Sequence, residues 1–219
     1  MTQHYLAAYR AFAGNGAARS PAWLRDLRDR GIARFEQLGF PTTKQEEWRF
    51  TNVAPIAETP FEITASSAVR LPPSAIAPFL AGDAEQPRLV FVNGRFSAEL
   101  SRGTWPTGVT AGSLAEALKS EPEPIEAHLG RTATHGALAA LNTAFVSDGA
   151  YVHVAAGVQF DTPIQLLFLA LPGERPLMIH PRTLVVVDRG ARVAVVETFA
   201  STAGGQYWCN PVTELVVAE

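Results

Sequence analysis

Apolar and polar residues alternate with two different periods along this chain. Near the start the period is helical. Residues 2–13 predict a short helix, followed by Gly14-Asn15-Gly16 as a break. Ser20-Pro21 then predicts a second helix, with Ser as N-cap and Pro at the first helical position. Leu24, Leu27, Phe35 and Leu38 fall on one face of it, and Gly39 supplies the stop. Arg25, Asp26, Arg28, Asp29, Arg30, Arg34 and Glu36 alternate in sign and predict a solvated face. Thr43 and Glu46 have the spacing of a capping box, so a helical turn is expected there, with Trp48 and Phe50 as apolar anchors.

The middle of the chain is less periodic. Residues 52–87 are rich in Pro and Ala and read as a linker with short helical pieces. Leu89 to Val92, Asn93-Gly94 and Arg95 to Ser97 predict a β-hairpin, because Asn-Gly between apolar runs suits a tight primed turn. Ser113 is expected to cap a helix running to about Lys119, and His135 to Ala144 predicts another.

From Asp148 onward the period becomes two. Tyr151–Val154, Ile164–Leu169, Thr183–Val187, Val193–Thr198 and Val212–Val217 read as short Val-rich strands between Gly, Pro and Asp turns. Alternation puts Val152 and Val154 inward and Tyr151 and His153 outward. Gly149-Ala150-Tyr151-Val152-His153-Val154 also matches Gly190-Ala191-Arg192-Val193-Ala194-Val195, 41 residues further on. A corner glycine followed by an alternating strand is what a β-solenoid coil needs. The expected fold is therefore mainly β with a helical N-terminal region: a right-handed parallel β-helix. Its regions would be 1–145, mostly helical with a small hairpin near 89–97, and 146–219, the first coils. Glu219 closes a strand with no capping segment, so the chain is expected to be a truncated fragment or to have its open end covered by another molecule.

Composition narrows the function classes. The 219 residues are 47% hydrophobic and 18% charged, with a net charge of −3. That is an ordinary globular balance, and it argues against general nucleic-acid binding, which needs a basic surface. The single cysteine, Cys209, excludes an intrachain disulfide and any cluster or zinc site built on several thiolates of this chain. No basic stretch leads into an apolar run at the N-terminus, and no apolar segment is long enough to span a bilayer. A cytoplasmic protein without membrane contact is expected.

Candidate chemistry is sparse. Phosphate-binding, dinucleotide-binding, zinc-protease and nucleophile-elbow motifs are all missing from the sequence. His4, His128, His135, His153 and His180 have no ligand spacing, although His153 and His180 could meet on neighbouring coils; they read as solvent-facing strand residues. Cys209, beside Tyr207 and Trp208, reads as a structural thiol. Glu46 and Glu47 are adjacent and diverge on a helical turn, which makes them poor acid–base partners.

Several segments nevertheless form an ordered set. They are Phe40-Pro41-Thr42 through Lys44, Glu46-Glu47-Trp48-Arg49-Phe50-Thr51, and Leu89-Val90-Phe91-Val92-Asn93-Gly94-Arg95-Phe96. Then come Ala140-Leu141-Asn142-Thr143-Ala144-Phe145 with Asp148-Gly149, His180-Pro181-Arg182-Thr183-Leu184-Val185-Val186-Val187, and Asn210-Pro211-Val212-Thr213-Glu214. In these segments the chain resembles the SufB/SufD family of the SUF iron–sulfur cluster assembly system, on its SufD side. The resemblance implies an N-terminal helical region, a right-handed parallel β-helix, and a chain covering the N-terminal half of a family member. It implies a scaffold subunit that pairs with SufB-like and SufC-like subunits, mainly through the missing half. No catalytic, cofactor-binding or metal residue is carried over, no cofactor is expected, and the matched motifs read as fold determinants. Not being an enzyme is the expectation. The alternatives are a self-association module using the open coil end, and a carbohydrate-active β-helix enzyme drawing on Asp148, Asp161, Glu174, Asp188, Glu197, Glu214 and Glu219.

Overall fold

The computed structural model describes residues 2–63, 70–83, 85–133, 135–202 and 204–219. The linker expected over residues 52–87 therefore lies partly outside the described residues. Among these, the chain forms helices α1 (Gln3–Gly14), α2 (Ala22–Leu38), α3 (Ala54–Glu58), α4 (Leu114–Ser120), α5 (Pro122–His128) and α6 (Ala137–Phe145). The first strands are β1 (Glu62–Ile63), β2 (Arg88–Val92), β3 (Arg95–Phe96) and β4 (Val109–Ser113). Seven more follow: β5 (Gly149–Val154), β6 (Gln159–Ala170), β7 (Leu177–Ile179), β8 (Arg182–Val187), β9 (Arg192–Ser201), β10 (Tyr207–Cys209) and β11 (Val212–Val217).

The expected right-handed parallel β-helix is not what these strands make. They sort into three small sheets, ordered β1-β7-β10, β11-β8-β5-β4 and β3-β2-β6-β9. The second and third mix parallel neighbours with the antiparallel pairs β4–β5 and β2–β3. With six helices packed on them, the architecture is α/β rather than mainly β. The repeat that suggested coils also fails at the level of register. Gly149–Val154 pairs with Arg182–Val187, 33 residues on, while Arg192 pairs with Gln159 in a different sheet. The two Gly-Ala segments share a local pattern, a turn leading into an alternating strand, without sharing a place in the fold.

Burial on both faces explains why the strands read as nearly continuous apolar runs. Leu89, Phe91, Val152, Leu166, Phe168 and Val185 fill the space between the two mixed sheets. The opposite faces of β5 and β8 carry Tyr151, Leu184 and Val186, which are covered by Leu24, Leu114 and Ile125 from α2, α4 and α5. Tyr151 is therefore buried under helices and not turned to solvent as the alternation suggested. A third cluster, largely aromatic, joins Tyr5, Tyr9, Phe35, Leu141 and Phe145 of α1, α2 and α6 to Met178 and Trp208 of β7 and β10.

The local devices hold in part. Asn93 and Gly94 take φ of 49° and 76°, as a primed hairpin turn requires. The Ser113 hydroxyl accepts a hydrogen bond from Glu116 N and caps α4. At α2 the cap position falls on Pro21, and the Ser20 hydroxyl accepts from Arg28 instead. Thr43 and Glu46 make no capping box; Glu46–Trp48 is a single 3-10 turn without a side-chain cap. Trp48 is only half-buried and Phe50 is 91% exposed, so neither is the anchor the sequence suggested.

Candidate functional site

Three of the motif segments converge on one buried polar cluster. Helix α6 brings Asn142 and Thr143, β8 begins with Arg182, and β11 carries Glu214. Both strands are entered through a proline, at His180-Pro181-Arg182 and Asn210-Pro211-Val212. Proline cannot donate, so each corner presents carbonyls to the helix beside it. Asn142 Nδ2 donates to Pro181 O at 2.9 Å and to Asn210 O at 2.7 Å.

Arg182 and Glu214 form the centre. Both side chains are almost fully buried, and Nε and Nη2 of Arg182 donate to Glu214 Oε1 at 2.9 and 2.6 Å. Nη1 donates to Asn142 Oδ1 at 2.9 Å and Thr143 Oγ1 at 3.3 Å. Glu214 Oε1 also accepts from Gly130 N at 2.8 Å. Its Oε2 accepts from Thr132 N, Thr132 Oγ1 and Ala133 N at 3.0, 2.9 and 3.3 Å. Burial alone would raise the carboxyl's pKa, but the Arg182 guanidinium and the loop N–H groups hold it below the usual carboxylate range. A carboxylate saturated in this way has no lone pair left to act as a base or a ligand.

His180 adjoins this cluster. Asn210 Nδ2 lies 3.1 Å from His180 Nδ1 and also donates to Leu138 O at 2.9 Å. The ring stacks on Phe145 at 5.1 Å and meets Trp208 edge-on at 5.4 Å. His180 Nε2 is buried without a hydrogen-bond partner. Burial pushes the imidazole pKa down to about 3, so it stays neutral. The expectation of a solvent-facing histidine is corrected here: the ring faces the aromatic cluster, and a general acid or base needs access that this site lacks.

The other singled-out residues are dispersed. Glu46 and Glu47 are exposed, and Glu46 lies 3.8 Å from Arg49 in a surface ion pair. His4 Nε2 lies 2.7 Å from Phe61 O. His153 Nε2 lies 3.0 Å from Asp188 Oδ2, on the partly exposed side of β5. Asp148 accepts from Ser113 Oγ, Phe96 N, Ala115 N and Gly149 N, which makes it a junction for three segments. Asp161 pairs with Arg192, and Glu197 accepts from the Thr183 and Thr213 hydroxyls. Burial pushes the Cys209 thiol up to about 12, which suppresses the thiolate. No three His, Cys, Asp or Glu side chains among the described residues come together as a metal site. An open depression of about 490 Å³ is lined by Glu62, Asn93, Arg175 and Leu177 and contains no nucleophile beside a base.

Sequence reasoning missed Arg28. It was placed on the solvated face of α2, yet it is buried. Its Nε donates to Val146 O at the C-terminal end of α6, at 2.8 Å, and Nη1 donates to the Ser20 hydroxyl. A cation at a helix C-terminus complements the dipole. The available signal was its position on the Leu24 face, four residues along.

Comparison with known proteins agrees with the motif set. Residues 1–166 match the family described as the SufBD protein N-terminal region. The chain is 32% identical over 192 residues to an iron–sulfur cluster assembly SufBD family protein of Synechocystis, covering 83% of this chain and 42% of that one. It is 26% identical over 192 residues to the iron–sulfur cluster assembly protein SufD of Bacillus subtilis, covering 84% and 43%. The SufD protein of Escherichia coli is 25% identical over 192 residues, covering 87% and 41%. The chain thus spans less than half the length of these relatives.

Proposed function

The chain belongs to the SufB/SufD family, whose members take part in iron–sulfur cluster assembly, and on that premise we propose that it acts as a SufD-type scaffold subunit with no catalysis of its own. The observation that carries this reading is the family match over residues 1–166, which includes α6 and its Asn142. Its support in the chemistry is the saturation of the buried Arg182–Glu214 ion pair. Arg182 is committed to Glu214, Asn142 and Thr143, and Glu214 to Arg182 and the 130–133 loop, which suits a rigid platform better than a reactive centre.

SufB-type and SufC-type subunits are the partners this reading names, and the cytoplasm is its compartment. Among the described residues no helix is long and apolar enough to cross a membrane. The test is co-expression with SufB-type and SufC-type subunits, followed by affinity purification and iron–sulfur cluster reconstitution on the complex. The expected result is a stable complex containing this chain. A chain that never co-purifies, and whose omission leaves cluster formation unchanged, overturns the reading.

A further inference from the structure

The sequence contains two Asn-Gly pairs, Asn15-Gly16 and Asn93-Gly94. Such a pair carries a chemistry of its own. The backbone nitrogen after an asparagine can attack the side-chain amide, and glycine leaves that nitrogen unshielded because it has no Cβ. The two sites differ in what holds the amide. Asn15 is exposed, precedes the 3-10 turn Gly16–Arg19, and its side chain makes no capping hydrogen bond. Asn93 opens the β2–β3 turn, and its side chain is clamped just past the end of β6. Its Nδ2 donates to Leu171 O at 3.2 Å, and its Oδ1 accepts from Leu171 N at 2.7 Å. Its own N donates to Leu169 O at 2.9 Å. The amide thus stands in for a further peptide unit and extends the β2–β6 ladder beyond Val92 and Leu169.

The clamp restrains only one side of the reaction. Gly94 N donates to no group among the described residues. Asn93 is half-buried and lines the open depression of about 490 Å³, so water reaches it. The nucleophile is therefore free while the electrophile is tied down. The product would undo the clamp. A carboxylate only accepts, so the aspartyl form has no donor for Leu171 O and sets two oxygens against each other. The isoaspartyl form adds a carbon to the main chain of a tight turn. The length of that turn fixes the pairing of Val92 with Arg95 and of Phe91 with Phe96. Phe96 N donates to Asp148 at 2.9 Å, and Asp148 also accepts from Ser113 Oγ, Ala115 N and Gly149 N. A displaced hairpin therefore pulls on the junction where α4 and β5 begin.

We propose that Asn93 is a latent deamidation site, held closed in the folded chain by Leu171, opened by local unfolding of the turn, and loosening the Asp148 junction once converted. Gly94 N gives up its proton to water or hydroxide and bonds to Asn93 Cγ. The Cγ–Nδ2 bond breaks, and the nitrogen leaves as ammonia with a proton returned from solvent. Water then opens the succinimide, at one carbonyl to aspartate and at the other to isoaspartate. The net change is amide plus water to acid plus ammonia, without an oxidant or a second protein. Asn15 has the same chemistry and no clamp, so it converts first. The inference is independent of the iron–sulfur reading, since it is read from the covalent state of the chain.

The experiment incubates the purified chain at mildly alkaline pH, with and without concentrated urea. Each asparagine is followed by peptide mass spectrometry and by labelling with an isoaspartyl methyltransferase. In the folded chain Asn93 is expected to convert at least about tenfold more slowly than Asn15. In urea the two rates are expected to come within about threefold of each other. Asn93→Asp, which reproduces the aspartyl product, is expected to speed hydrogen exchange at the Phe96 and Gly149 amides, while Asn15→Asp leaves both unchanged. The rate comparison uses the parent chain alone, so it stands whether or not the variants fold. Conversion of Asn93 in the folded chain as fast as that of Asn15 overturns the proposal, as does an Asn93 that converts no faster in urea. So does unchanged exchange at Phe96 and Gly149 in Asn93→Asp.

Discussion

His180 is a neutral imidazole in a place where a proton would have no counter-ion. Its folded pKa of about 3 lies below the ordinary 6.5, so between those values the unfolded chain binds the extra proton. The stabilisation is complete above pH 6.5 and shrinks as pH falls through that window, by about 1.4 kcal/mol per unit. Urea midpoints at pH 7 and pH 5 are expected to differ for the parent and to converge in His180→Phe. Glu214 acts in the same direction lower down, because its pKa is depressed in the folded chain. Its contribution is present above the ordinary carboxylate range and is lost as acid protonates the pair. Arg182→Met leaves a buried carboxylate without its cation and is expected to cost about 3–5 kcal/mol. The double variant with Glu214→Gln is expected to cost less than the two singles combined, which a double-mutant cycle by chemical denaturation measures. Phe50→Ser, at a position 91% exposed, is expected to change stability by under about 0.5 kcal/mol. A larger loss would restore the anchor role that its sequence context suggested.

At the scale of elements, α2 and α6 pack backbone against backbone. A Cβ added at Gly31 would lie 2.7 Å from Ala144 N and 2.9 Å from Ala140 O, both backbone atoms. Gly31→Ala is therefore expected to destabilise by about 1–3 kcal/mol despite its better helix propensity, because the helices must part. Thermal melting of the purified variant checks the sign. This contact also marks where the sequence stops being readable. Period and turn chemistry are local, so α1, α2, the Asn93-Gly94 hairpin, the Ser113 cap and strands β5, β6, β8, β9 and β11 could be read from short windows. What sits opposite Gly31 is set by residues more than a hundred positions away. The same holds for sheet membership. Tyr151 looks like a solvent-facing strand residue until α4 and α5 cover it, and β7 and β10, at three residues each, are too short to show a period. The polar cluster was visible only as pieces. Asn142, Arg182, Asn210 and Glu214 stood within the quoted motifs, but nothing in their spacing says that they meet.

At the scale of the whole molecule, α1 meets β10 and the loop before α6 meets β11. Trp208 packs on Tyr5 at 6.0 Å, and the loop at 130–133 closes on Glu214. The family's relatives are more than twice this length, so the proposed scaffold role is one to test on complexes rather than on isolated pieces. The Arg182–Glu214 pair has a consequence for how the chain is made. Synthesis runs from the N-terminus, so α6 and β8 leave the ribosome while Glu214 is still to come. During that interval Arg182 has no carboxylate, and the loop that receives Glu214 has no acceptor for its N–H groups. The helical half can gather early, but it cannot close around a lone guanidinium. Strand β11, made after α6 and β8, therefore acts as the latch of the helical half, and a ribosome that stalls before it leaves that half open for chaperones to hold.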